Sequence, residues 1–290
     1  MSLSTIRSLM LATAFALAGC GGEGGYGLAS TPPPPVTPTQ TPTPTPTPPP
    51  AIIPATVSQQ FTVVGSSHPF DGVSTPTFDG SEQLQVRYVQ SSNSYEVQLP
   101  HSATWGRIAY LPIDGSPADP INYGGGGAHL WLGAGYQYSR IFEWSGGGGL
   151  HGFEAIGIAT TAGSVPVTGT ATYSGELLGG TTESFGGDTW DVRGTIGLSF
   201  NFGLGTLSGT IDPTAFVYSL GHLNFRDTVY ATGSTSFSGK FDTNLTGVNS
   251  FGGLFTGPNA QELIGNFAFP YKSPIDGQTY QADGAFVGAK

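Results

Sequence analysis

Charge is what this 290-residue chain has least of. Asp, Glu, Lys and Arg make up 10% of it, against about 25% in ordinary globular proteins. Only nine Lys and Arg stand against 19 Asp and Glu, for a formal charge of −10. The nine are scattered, so no basic stripe can follow a phosphate backbone, and nucleic acid is excluded as a partner. A single cysteine, Cys20, rules out an internal disulfide and any cysteine-rich metal cluster. No apolar run reaches the roughly 20 residues that a helix needs to cross a bilayer.

The usual catalytic patterns are missing as well. The chain has no His-Glu-x-x-His, no Gly-x-Ser-x-Gly and no cysteine placed as a nucleophile. Gly233 to Lys240 superficially looks like a phosphate loop, but its glycines are one residue too far apart and Phe241 stands where Ser or Thr must hold magnesium. Asp188 with Asp191 reads as solvated loop charge, since a sequence cannot show the separation that acid and base need. His68, His101, His129, His151 and His222 lack metal-ligand spacing. His129 and His151 do flank Trp131, Tyr136, Tyr138, Phe142 and Trp144, which invites a haem or iron-chelate face. A strand hairpin with packed aromatics explains the same pattern and is preferred. No catalytic residue, metal ligand or cofactor is assigned, and the chain does not read as an enzyme.

What is abundant is glycine (46), proline (23) and aromatic residues (12%). The amino terminus is organised differently from the rest. One basic residue, Arg7, precedes the apolar run Leu9 to Ala18, and Gly19-Cys20 follows. A run this short is a signal peptide and not a membrane span. Leu17-Ala18-Gly19-Cys20 looks like the bacterial lipobox, in which the thiol is acylated before cleavage. Two or three acyl chains at roughly 0.8 kcal/mol per buried CH₂ hold a protein on a bilayer. Gly21 stands where an inner-membrane retention signal would place Asp, so the outer membrane is expected.

From Gly21 the chain is Gly-rich and then runs in Thr-Pro repeats, with Pro32 to Pro35 and Thr41 to Pro50. Proline favours extended polyproline II at about 3.1 Å per residue, so this segment reads as a stiff tether. Beyond it the signal is period-two alternation. In Thr195 to Phe202 one face carries Ile196, Leu198, Phe200 and Phe202 while the other is Gly, Ser and Asn. Ser236 to Asp242 repeats it with Phe237, Gly239 and Phe241, the glycine making room in a narrow interior. Further strands are expected at 170–178, 206–212, 252–256, 265–269 and 282–288, joined as a meandering antiparallel barrel or sandwich. Residues 56–165 also read as strands, at 60–64, 84–89, 95–99, 107–111, 130–144 and 153–160, with less regular connections.

The carboxyl-terminal half resembles the β-barrel domain of transferrin-binding protein B and related surface lipoproteins. Val165 to Gly175 resembles the first barrel strand, and Gly233 to Gly239 a middle strand. Gly252 to Phe267 resembles the family's strand, Gly-Pro-x-Ala-x-Glu turn and returning strand. The turn residues Gly257, Pro258, Asn259, Ala260 and Glu262 read as structural: Gly-Pro breaks the strand, Asn suits the turn, and the carboxylate caps free amides around it. Residues 56–165 carry no second copy of that turn, so the resemblance implies a single-lobe member, whereas the large receptors of the family are two-lobed.

The expected fold is all-β, an antiparallel barrel of roughly eight strands preceded by an irregular, handle-like β domain. The expected organisation is a signal peptide over 1–19, lipidated Cys20 and a tether over 20–55, the irregular unit over 56–165 and the barrel over 166–290. What the resemblance implies about function is capture of an iron source, haem or a host iron protein, at the outer-membrane surface. It further implies a TonB-dependent receptor and a surface-lipoprotein translocator as partners, besides the membrane reached through the lipid. A structural or adhesion lipoprotein and an integral outer-membrane barrel are the alternatives. A binding face is expected in 56–165 and in the Gly-rich stretch Leu178 to Asp188.

Overall fold

The alternation of large apolar and small polar residues produces strands throughout a computed structural model, which describes residues 55–69, 83–108, 121–123, 126–128, 136–146, 150–185 and 188–290. The signal peptide, Cys20, the tether, His129 and Trp131 lie outside these residues. All the described residues belong to one compact unit, Thr47–Lys290. In chain order the first strands are β1 (Gln59–Gln60), β2 (Thr62–Pro69), β3 (Gln85–Val89), β4 (Ser94–Gln98), β5 (Gly106–Ile108), β6 (Ile121–Tyr123), β7 (Gly126–Ala128), β8 (Ser139–Gly146) and β9 (Leu150–Gly157). They form two antiparallel sheets, β1-β3-β4-β5 and β2-β9-β8-β7-β6.

The second set is β10 (Thr170–Phe185), β11 (Asp188–Asn201), β12 (Thr206–Ala215), β13 (Tyr218–Ser219), β14 (Leu223–Val229), β15 (Ser236–Phe241), β16 (Ser250–Thr256), β17 (Glu262–Lys272) and β18 (Thr279–Ala289). Their order is β11-β10-β18-β17-β16-β15-β14-β12-β13, and pairing of β11 with β12 closes eight of them into an antiparallel barrel. The all-β reading of the alternation and the eight-stranded barrel that the resemblance implies are both observed. Closure removes the sheet edges that would otherwise invite association.

The barrel interior is filled by aromatic rings. Phe200 lies 4.9 Å from Phe255 and 5.1 Å from Tyr230, and Phe225 lies 4.2 Å from Phe251, between ring centroids. Glycine makes this density possible by standing opposite the rings. Phe237 pairs with Gly253, Phe251 with Gly239, and Phe286 with Gly265. A Cβ on Gly239 or Gly253 would come within 2.5 Å of the facing ring, and one on Gly265 would overlap Phe286. The exposed part of the outer wall is hydroxylic, with Thr172, Ser174, Thr195, Ser199, Ser208, Ser236 and Ser238. That is the reverse of a membrane-spanning barrel, whose apolar band faces outward.

Part of the wall is covered. Sheet β2-β9-β8-β7-β6 lays Ile141, Phe153 and Ala155 against Leu178, Ile264, Ala285 and Val287 of the barrel. Its other face sends Trp144 and Ile156 into a core with Val86, Tyr88, Tyr95 and Val97 of sheet β1-β3-β4-β5. The molecule is therefore layered sheet on sheet on barrel.

Two expectations change in detail. The stretch from Leu178 is not a connection, because β10 continues to Phe185. Its glycines serve close packing: a Cβ on Gly179 would overlap the Asp283 carbonyl, and one on Gly180 would sit 2.9 Å from the Phe153 ring. Strand β14, absent from the sequence reading, carries a bulge between Arg226 and Val229 with Asp227 at φ 49°. A bulge reverses which face each later side chain takes and so hides the alternation.

Candidate ligand-binding surface

The Gly257-to-Glu262 turn sits at one mouth of the barrel and closes it. Gly257 has φ 71°, Pro258–Ala260 make a single 3-10 turn, and Asn259 and Ala260 adopt φ 55° and 54°. Ala260 is fully buried, and its carbonyl accepts the Tyr173 hydroxyl at 2.5 Å. A side chain at Gly257 would meet the Tyr138 ring at 2.6 Å. Glu262 does not cap its own turn. Its carboxylate accepts Gln137 N at 2.7 Å, Tyr138 N at 2.9 Å and Ser139 Oγ at 2.6 Å, and so fixes the start of β8 to the barrel. Beside it, burial lowers the pKa of Arg140, and the Glu262 charge opposes that shift.

Tyr136, Tyr138, Trp144 and Phe153 are buried between the layers. Trp144 is fully buried. His151 stands edge-on to Phe153 at 4.6 Å and to His68 at 5.4 Å, with Nε2 3.3 Å from Glu143 Oε1. His68 Nδ1 lies 3.4 Å from Asp283 Oδ2 across the interface with the barrel. Glu154, fully buried, accepts Leu84 N, and burial raises its pKa well above the ordinary value. Among the described residues no three His, Cys, Asp or Glu side chains converge to hold a metal ion. Asp191 pairs with Arg193 at 3.2 Å on the surface.

With the barrel filled, ligand contact is left to the outside. The feature that stands out is the β12–β13 reversal, where Ala215 pairs with Tyr218 and Phe216-Val217 form the tip. Two-residue hairpin tips favour Asn-Gly or Asp-Gly because they need positive φ. Here Phe216 takes φ 53° and is 74% exposed, Val217 is 72% exposed and Tyr218 40%. A bulky residue held in the left-handed region costs on the order of 1–3 kcal/mol, and the exposed Val217 beside it leaves more apolar surface uncovered. Both local rules are broken at one place, which is how a contact site differs from a plain turn. In sequence the tip is an apolar pair between two strands, which looks like a continuation of either strand because it has none of the usual turn residues.

Two grooves accompany the tip. One, of about 410 Å³, lies on the wall between Ile141 of β8 and the outer faces of β10, β11 and β12, with Leu178, Arg193 and Thr214 in its lining. The other, of about 400 Å³, opens where β1, β3 and β4 meet β2. On the outer face of that same sheet, Arg87 is held by Glu96 at 2.6 Å and lies 3.9 Å above the Trp105 ring.

Comparison with known proteins bears on the barrel. The family model described as the C-lobe and N-lobe β-barrels of Tf-binding protein B matches residues 165–290. No curated protein sequence matches the chain. Similar solved structures include a transferrin-binding protein B mutant from Haemophilus parasuis Hp5, with 16% identity over 79% of this chain and 45% of that one, at a TM-score of 0.47. They also include isotype 1 transferrin-binding protein B from serogroup B Neisseria meningitidis, with 17% identity, 79% and 43% coverage and a TM-score of 0.48. A third is HpuA from Kingella denitrificans in complex with human haemoglobin, with 15% identity, 80% and 86% coverage and a TM-score of 0.44. The chain spans less than half the length of the transferrin-binding proteins. What the comparisons show is a match to this β-barrel family model over residues 165–290, less than half of the chain.

Proposed function

We propose that this chain is a lipoprotein, acylated at Cys20 and displayed at the outer-membrane surface, which binds an iron-carrying protein or haem and hands it to a TonB-dependent transporter. In this reading residues 1–19 are removed, 20–55 act as the tether, 56–165 form the handle-like unit and 166–290 the barrel. A surface-lipoprotein translocator delivers it. The observation that carries the binding reading is the exposed Phe216-Val217-Tyr218 tip on a barrel whose interior is already full. Exposed apolar surface at such a turn, Val217 above all, is what a partner's surface would cover. The matched barrels are named for transferrin binding, which supports an iron carrier as that partner.

The test is direct binding. Purified Cys20→Ser chain is offered to transferrin, haemoglobin and haem by biolayer interferometry. Saturable binding to at least one, weakened tenfold or more by Phe216→Ser with Val217→Ser (roughly 1.4 kcal/mol or more), is the expected result. Binding to none of the three favours the adhesion or structural alternative.

A further inference from the structure

The two ends of the barrel differ in charge. At the mouth closed by the Gly257-to-Glu262 turn, the rim is made by residues 161–169, 201–205, 230–235 and 257–261, and none of these is Asp, Glu, Lys or Arg. The exposed charged side chain beside them is a cation, Lys290, whose Nζ donates to the Asn259 carbonyl at 2.8 Å. Glu262 is buried against β8, while Glu176 of β10 and Asp227 of β14 stand further down the wall. The opposite end, where the Phe216-Val217 tip lies, carries Asp191, Asp242 and Asp276.

The rim is also apolar, with Val167 57% exposed and Leu204 76%, and Val229 is exposed on the wall just behind the third loop. Single exposed aliphatic residues are ordinary, but Val167 and Leu204 stand on loops that are tied together. Phe202 N donates to the Gly169 carbonyl at 2.9 Å, and Thr232 Oγ1 to the Gly203 carbonyl at 3.3 Å. Leu204 N donates to Asn201 Oδ1 at 2.9 Å, and Gly205 takes φ 64°. A turn this tight gives Leu204 no slack to fold back, and the barrel behind it is already filled with rings.

What covers this face follows from where the folded body begins. Strand β1 leads into β2, whose first residue, Thr62, pairs with Gly157. The adjacent Ile158 carbonyl accepts the Gly257 amide at 2.8 Å. The chain thus enters the body on the mouth side, whereas the tip follows Ala215, which pairs with Val192 at the other end. A flexible link to Cys20 presents a bilayer to the body at an effective concentration up to about millimolar, so a contact too weak to hold a free protein suffices. An anionic bilayer repels the carboxylates of the tip end and meets none on the rim loops. A protein partner would take its register from charged groups, which those loops lack.

We propose that the barrel mouth rests on the anchoring bilayer, Val167 and Leu204 entering the headgroup layer while the Phe216-Val217 tip points away from it. This rests on the lipoprotein reading of Cys20.

The experiment uses the single cysteine. A chain of residues 20–290 is coupled through Cys20 to a maleimide lipid in vesicles of phosphatidylethanolamine and phosphatidylglycerol, with benzoylphenylalanine in place of Leu204 or of Val217. The chemical link stands in for the acyl chains, so the result does not depend on acylation in cells, which the mass of the Cys20 peptide from cell membranes tests separately. Irradiation should give a lipid adduct, read as a mass shift, in a yield at least about fivefold higher from position 204 than from 217. Both positions are exposed and carry the same apolar group, so the ratio reads orientation. Val167→Asp should lower the yield from 204 roughly threefold or more, because a charge would have to leave water. Ala231→Asp, at another exposed rim position, should do the same and guards against a misfolded first variant. Equal yields, a larger yield from 217, a chain-to-chain adduct from 204 in place of lipid, or a yield unchanged in both Asp variants would each overturn the proposal.

Discussion

At the scale of single residues, the barrel is held by absences as much as by presences. Gly265 faces Phe286 so closely that one methyl group has nowhere to go. Gly265→Ala should therefore cost about 1–3 kcal/mol, the usual price of overpacking. Urea unfolding of the single variant and of Gly265→Ala with Phe286→Leu checks it. The second change should recover part of the loss, a non-additivity expected only of groups in contact. A second residue-scale prediction concerns Glu154, whose pKa is raised chiefly by burial, against the pull of the Leu84 amide. In the folded state this carboxyl keeps its proton at pH values where the unfolded chain has released it. Its contribution to stability therefore falls as pH rises above the unfolded value near 4.3, by up to about 1.4 kcal/mol per pH unit. Glu154→Gln keeps an acceptor for Leu84 and removes the titration. The stability of Glu154→Gln relative to the natural chain should grow from pH 4 towards neutrality, and a flat difference would show that Glu154 titrates normally.

At the scale of elements, the turn and the strand it anchors belong together. Glu262 supplies acceptors for two amides and a hydroxyl at the start of β8. Glu262→Ala leaves these donors unsatisfied in a buried place and should cost about 3 kcal/mol. Hydrogen exchange should accelerate at Gln137, Tyr138 and the residues after them while the far side of the barrel stays protected. Uniform exchange across the molecule would mean that the contact does not act as a local anchor. Here the sequence was legible only in part. The turn could be read from Gly257, Pro258 and Asn259, because breaking a strand and taking positive φ are local properties. The partner of Glu262 could not, since it lies more than 120 residues away. Strands such as β11 and β15 declared themselves by alternation. Gly179 and Gly180 misled, because a glycine that admits a neighbouring layer looks in sequence like one that makes a turn. Of the candidate surface, Phe216-Val217 was visible as residues, but its exposure follows from the closure of β12 onto β11 and β14.

At the scale of the whole molecule, the proposed acylation of Cys20 and the proposed tether over 20–55 would carry a layered β body whose proposed contact lies on the outside of the barrel. Cys20→Ser should release an intact folded chain into the soluble fraction. If that variant stayed with the membrane, both the anchor and the polar outer wall would need another explanation. The central claim is that a partner is met at the barrel tip and not inside the barrel. A photo-reactive benzoylphenylalanine at Val217, compared with one at Ser199 on the exposed wall, tests it on living cells supplied with transferrin and haemoglobin. The account predicts a covalent adduct with one of these proteins from position 217 and none from position 199. Binding that persists with no adduct at 217 would contradict it.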